Sequence, residues 1–183
     1  GMPYVDSNHN GRYDPDFDAW LDDSTTSDKP LYLGDACASF ISNDLDANSA
    51  WSLYGSIPVG IEMRTTIWAY DRPGALQNTI FVKHVLINKG QASLVDALIG
   101  RWTDFDLGSW SDDFLAVDSL RRMTIVYNGT PRDAVYGVPP VLGVRMVQAP
   151  VRRQPSKTAV YGFGFREGME NVPLQGFGFF VNG

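Results

Sequence analysis

Between residues 59 and 70 the chain alternates strictly. Ile61, Met63, Thr65, Ile67 and Ala69 fall on one side, and Glu62, Arg64, Thr66, Trp68 and Tyr70 on the other. A period of two marks a strand whose faces meet different surroundings. Asp71-Arg-Pro-Gly74 then reads as a turn. Residues 79–87 read as a second strand, ended by Asn88-Lys-Gly90 and expected to pair antiparallel with the first. Residues 122–127 predict another strand, closed by Asn128-Gly129, and Val138-Pro-Pro140 an extended break. Strands are also expected over 141–148, 159–165 and 176–181, with a weaker candidate at 31–41. Residues 42–56 read as polar and turn-like. Residues 95–102 fit a short helix or a strand; Gly100 interrupts the run and favours a strand leading into the aspartates that follow. No stretch carries apolar residues at i, i+3, i+4 and i+7 over three turns. The prediction is an all-β fold, an antiparallel β-sandwich of jelly-roll or Ig-like type with long Asp-rich loops. With no fixed-period repeat and no linker, one domain over residues 1–183 is expected, residues 1–30 forming a calcium-type loop region.

Composition supports a folded chain. Of 183 residues, 44% are hydrophobic and 20% charged, a globular balance in a chain long enough to bury a core. The net charge of −6 matters less than its distribution. Eighteen of the 21 acids are Asp, the residue of turns and of compact oxygen cages around hard cations. Ten Asp lie within residues 1–46 against two basic residues, Arg12 and Lys29, whereas residues 121–166 carry eight Arg and Lys. The acidic front end argues against a general nucleic-acid role. The single Cys37 rules out an intrachain disulfide and reads as a small buried thiol. No apolar run is long enough for a membrane span, so no membrane insertion is expected. No leader peptide is visible, and Gly1-Met2 reads as an internal or artificial start of a fragment of a longer protein.

The sharpest motif is Asp6-Ser-Asn8-His-Asn10-Gly11-Arg12-Tyr-Asp14-Pro-Asp16-Phe-Asp18. Loop positions one, three and five supply side-chain oxygens, position six is glycine, and Arg12 would lend its backbone carbonyl. This is the first half of an EF-hand-type calcium loop, in which alternate residues of a curling chain point oxygens at a hard cation. Position twelve departs from that pattern: Phe17 stands where a bidentate Glu belongs. Asp14, Asp16 or Asp18 must close the site, and Asp18 is the choice. The bland reading is an Asx-rich loop without an ion.

A second group runs Asp104-Phe-Asp106-Leu-Gly108, then Asp112-Asp113 and Asp118. Crowded carboxylates repel unless a cation or a proton intervenes. A second calcium site is one reading and water-facing turn caps another. Acid–base hydrolysis of a glycoside, with Trp102 and Trp110 stacking on sugar, is a third; nothing marks one carboxylate as its proton donor. His9 reads as outward-pointing and His84 as a satisfied, partly buried strand residue. No phosphate loop or nucleophile elbow is present.

The motifs form a longer series: Asp6-x-Asn-x-Asn-Gly-x-Tyr-Asp-Pro15, Gly34-Asp35, Asn43-Asp44, Gly60-Ile-Glu62, Asn78-Thr-Ile-Phe81, Trp102-x-Asp-x-Asp-Leu-Gly108, Asp112-Asp113, Asp118, Tyr127-Asn-Gly129 and Tyr136-Gly-x-Pro-Pro140. The series, over about residues 4–150, resembles an uncharacterised family of long secreted proteins from Bacteroidetes and related marine bacteria that often carry a C-terminal secretion-sorting domain. The resemblance implies export and an extracellular or cell-surface location; it implies no reaction. Cys37 departs from the polar stretch usual there. The expectation is a non-catalytic, Ca²⁺-stabilised β module with a structural or adhesive role, its partners polysaccharide or other surface proteins. A carbohydrate-binding module is the main alternative and a glycoside hydrolase a weaker one.

Overall fold

The computed structural model describes residues 3–15, 27–162 and 164–178. Asp16, Asp18 and the end of the expected strand over 176–181 lie outside the described residues. Among the described residues, strands make up 42% and helix about 9%, in several antiparallel sheets and with no barrel, the all-β, sandwich-like class expected. The chain forms two compact units, Gly1–Leu98 and Ile99–Gly183.

In the first unit β1 (Tyr4–Val5) pairs antiparallel with β2 (Lys29–Pro30), so the Asp-rich loop leaves one strand of a short pair and returns at the other. Strand β3 (Ala36–Asn43) leads into helix α1 (Ala47–Tyr54). Residues 42–56 are thus not simply turn-like. The helix shows no apolar stripe, but its ends are specified. The Asp46 carboxylate accepts from Ser49 N at 2.7 Å, and Gly55, at φ 65°, donates its N–H to the Trp51 carbonyl at 2.9 Å. Asp46→Ala is expected to fray α1 and lower the melting temperature by roughly 2–4 °C; amide exchange of Ser49 and Ala50 checks it.

Strands β4 (Ile61–Ala69) and β5 (Ile80–Asn88) complete the sheet β3-β4-β5, and the expected antiparallel pairing of 59–70 with 79–87 holds in register from Ile61↔Asn88 to Ala69↔Ile80. In the middle of β4 the adjacent Thr65 and Thr66, which point to opposite faces, are both buried. Each meets a polar cross-strand partner in register. Thr66 Oγ1 accepts from Ser39 Oγ at 3.1 Å, and Thr65 Oγ1 lies 3.0 Å from His84 Nδ1. His84 is therefore satisfied, though exposed rather than partly buried. Farther along, Trp68 stacks on Phe81 with centroids 5.3 Å apart. The free thiol of Cys37 is half-buried on β3.

In the second unit β6 (Asp113–Asp118), β7 (Met123–Asn128) and β8 (Val141–Arg145) form one antiparallel sheet; β9 (Val151–Tyr161) and β10 (Gly164–Asn171) form a long hairpin. Pro155 sits in β9 opposite the register shift at Gly168, where its missing N–H costs no ladder bond. Three expectations fail. The strand expected over 159–165 is split between β9, which ends at Tyr161, and β10, which begins at Gly164. Residues 95–102 form no strand, for no neighbouring segment pairs with them, and Val95, Leu98 and Ile99 are exposed. Residues 113–118, for which no strand is expected, form β6, because the Phe-Leu-Ala-Val run between its terminal aspartates pairs with β7.

The apolar interior is thin. Among the described residues the buried apolar side chains are Ala50, Leu107, Val126, Ala149 and Ala159, while buried polar ones include Ser27, Asp28, Asp133 and Glu170. No helix of the described residues is long and apolar enough to cross a membrane.

Candidate cation-binding turns

The first Asp-rich loop curls as its spacing requires. Asp6 accepts from the backbone N–H of Asn10 (3.1 Å) and of Gly11 (2.8 Å). Asn8 Oδ1 accepts from Asn10 N at 3.0 Å, and Asn10 Oδ1 from Arg12 N at 2.8 Å. Gly11 supplies the left-handed turn at φ 75°. His9 also adopts positive φ, 60°, and is exposed, as expected.

The loop closes on Asp14. The side-chain amides of Asn8 and Asn10 donate to its carboxylate at 3.2 and 2.8 Å. These bonds, led by the one from Asn10, hold the Asp14 carboxyl below the usual carboxylate range. Two amide NH₂ groups thus offset the charge of this carboxylate.

The closing role assigned to Asp18 lies outside the described residues. The organiser among those described is Asp28, which sequence reasoning missed. It is fully buried at the start of β2, and its two oxygens accept from Ser7 N at 2.8 Å and Asp14 N at 3.1 Å. Burial, then the charges of Asp6, Asp28 and Asp14, raise the Tyr4 pKa.

The second group is not gathered as expected. Asp104 and Asp106 alternate with Phe105 and the buried Leu107, so they share a face, and that face is exposed. Asp118 belongs to another turn. It ends β6, whose six residues at about 3.4 Å each put it roughly 17 Å from Asp113. There it accepts from Arg121 N at 2.9 Å and from the Arg121 guanidinium at 2.6 Å, contacts that lower its pKa.

Asp112 and Asp113 remain, at the opposite end of β6, where Asp113 stands in register with Asn128 of β7. Asp113 Oδ2 accepts from Leu107 N at 2.7 Å. Asp112 Oδ2 accepts from Thr130 Oγ1 at 2.7 Å and Asn128 Nδ2 at 3.2 Å. A second unforeseen carboxylate, Asp133, ties the corner together. It is 5% exposed and accepts from Tyr136 N, Val135 N, Ser109 N and Asn128 Nδ2. The backbone donors Tyr136 N and Ser109 N lead in lowering its pKa to about 2. Gly108, at φ 81°, is required because a Cβ there would collide with the Asp133 carboxylate. Three oxygens of this corner are buried and meet no donor: Asp112 Oδ1, Asp113 Oδ1 and Asn128 Oδ1.

Among the described residues no three His, Cys, Asp or Glu side chains are grouped to hold a metal ion by themselves. Either turn would therefore need amide, carbonyl or water oxygens to complete a shell, as calcium sites do. The carboxyls of Asp14, Asp44, Asp46, Glu62, Asp118, Asp133 and Glu170 all titrate below their usual range, so none of these seven is a proton donor at neutral pH. Trp102 and Trp110, in the segment leading to the corner, are 72% and 73% exposed. No family model, no curated protein and no solved structure matches the chain.

Proposed function

We propose that this chain is a non-catalytic β module of a secreted or cell-surface protein, ordered by calcium and serving a structural or adhesive role. The observation that carries the reading is the closure of the first loop. Asp6, Asn8, Asn10 and Asp14 converge in one curl held from behind by Asp28, with amide hydrogens standing in for positive charge on Asp14. The donor set is oxygen only, which suits a hard cation. Two of the four side chains are amides, so the expected affinity is modest, about 10⁻⁵ to 10⁻³ M, the range of extracellular calcium modules.

The thin apolar interior points the same way. A domain with little fully buried apolar surface depends on disulfides, metals or association for stability, and one cysteine permits no internal disulfide. The resemblance to exported proteins fits an extracellular setting.

The test is a calcium titration of the chain beside Asp14→Ala. Saturable binding within that range, weakened at least about tenfold in the variant, is the expected result. No saturable binding by the parent chain sinks the proposal. A carbohydrate-binding role is the second reading, favoured by the exposure of Trp102 and Trp110. Retention on insoluble polysaccharide that disappears in the Trp102→Ala/Trp110→Ala variant is its signature.

A further inference from the structure

We propose that Asp112, Asp113 and Asn128 hold a calcium-class divalent cation at the end of the β6–β7 pair, as a site separate from the N-terminal loop. The choice of calcium rests on the reading above; the donor set rests on independent observations.

The first is a shortage of protons. Asp112 Oδ1, Asp113 Oδ1 and Asn128 Oδ1 are all acceptors, all buried and all without a donor. A buried acceptor left unmet is costly, and three together are rarely tolerated. Turning the Asn128 amide over gives no relief, because its Nδ2 already serves Asp112 (3.2 Å) and Asp133 (3.4 Å). Thr130 has a single hydroxyl proton, shared between Asp112 Oδ2 and the Arg132 carbonyl, each at 2.7 Å. One buried water brings two protons to three acceptors and leaves one unmet. The three side chains are neighbours, Asn128 being bonded to Asp112 and in register with Asp113, so one cation among them would meet all three.

The second is a shortage of positive charge. Asp112, Asp113 and the buried Asp133 are bound to one another through the Asn128 amide and the 107–109 backbone. The ion pairs of the described residues in this unit, Arg121–Asp118, Arg152–Glu170 and Lys157–Glu170, reach none of the three.

The arrangement also looks built. On both Asp112 and Asp113 the Oδ2 atom is fixed by protein donors, which leaves Oδ1 for another partner. Asp133 supports the corner without contributing an orphaned oxygen. Three protein oxygens leave places for water in a six- to eight-fold shell.

The test uses the full chain and counts calcium ions per chain by titration. The Asp112→Asn/Asp113→Asn variant is expected to lose one ion, and Asp6→Asn/Asp14→Asn the other. If the first variant binds as many ions as the parent, the corner is no cation site and the inference falls. If it loses an ion while the loop variant loses none, the corner stands and the N-terminal loop reading falls.

A second measurement covers a variant that fails to fold. Trp110 precedes Asp112 by two residues and is exposed, so Trp110→Phe leaves the fold intact. Terbium bound at the corner is expected to emit under tryptophan-selective excitation and to lose most of that emission in Trp110→Phe. Absent emission, or emission unchanged in that variant, overturns the inference.

Discussion

Replacing Asp28 by alanine is expected to destabilise the first unit by about 3 kcal/mol and to abolish calcium binding at the N-terminal loop. Asp28 is fully buried, and its oxygens are held by Ser7 N and Asp14 N, the two ends of the curl. Removing the carboxylate strands two backbone donors, at about 1–3 kcal/mol for each that water does not reach. It also releases Asp14 from the position in which the Asn8 and Asn10 amides meet it. Asp28→Asn is expected to fare little better, because an amide presents one acceptor and one donor where two acceptors are needed. Denaturant unfolding gives the stability and titration the affinity. A variant that unfolds at the parent's midpoint and binds calcium as the parent does would leave Asp28 without the organising role assigned here.

The second large effect is expected at Asp133. Its four partners are all donors: Tyr136 N, Val135 N, Ser109 N and Asn128 Nδ2. Asp133→Ala strands them, and Asp133→Asn turns an NH₂ group towards at least one of them. Either substitution is expected to lower the melting temperature by roughly 5–15 °C. The same bonds give a pH signature. The folded-state pKa, about 2, lies below the usual aspartate value of 3.8. The unfolded chain therefore binds the proton first as pH falls. The stabilisation from Asp133 is complete above the unfolded pKa and is lost as pH drops from near 4 towards 2. In Asp133→Ala the melting temperature is expected to fall less steeply across that window than in the parent. Equal slopes would count against Asp133 as the group that titrates. The neighbouring Gly108 gives a steric check on the same corner, since its left-handed backbone and the nearby carboxylate leave no room for a Cβ.

The strands legible in the sequence are those with local signals. Residues 59–70 and 79–87 announce themselves by alternation and by the Asp71–Gly74 turn, and they become β4 and β5. Residues 122–127 and 141–148 carry enough β-branched residues to be read as β7 and β8, within a few residues at each end. Helix α1 was missed because its eight residues show no apolar stripe; Asp46 and Gly55, placed as its caps, were the signal available. Strand β6 was hidden by the aspartates at its ends. Strand β9 was half-missed because Pro155 and the Arg152-Arg153 pair depress its strand character.

The candidate sites divide in the same way. The curl over residues 6–14 is legible because its ligand spacing is local. Asp28 and Asp133 were not, because each acts on residues far along the chain: 21 positions to Ser7 for one and 24 to Ser109 for the other. In the sequence they are two more aspartates among eighteen. Asp104, Asp106 and Asp118 were grouped with Asp112 and Asp113 on proximity in the chain alone, and the strand between Asp113 and Asp118 separates that pair. In the sequence Asn128 reads only as part of the turn that closes a strand, whereas its position opposite Asp113 follows from strand register.

Thermal unfolding of the whole chain with calcium and with EGTA tests most directly whether positive charge must be held among these acidic turns. The account predicts a lower melting temperature in chelator, recovered by excess calcium. Magnesium should restore it less well, since it favours a smaller octahedral shell and gives up its waters reluctantly. Melting curves that superimpose in EGTA and in calcium would contradict it.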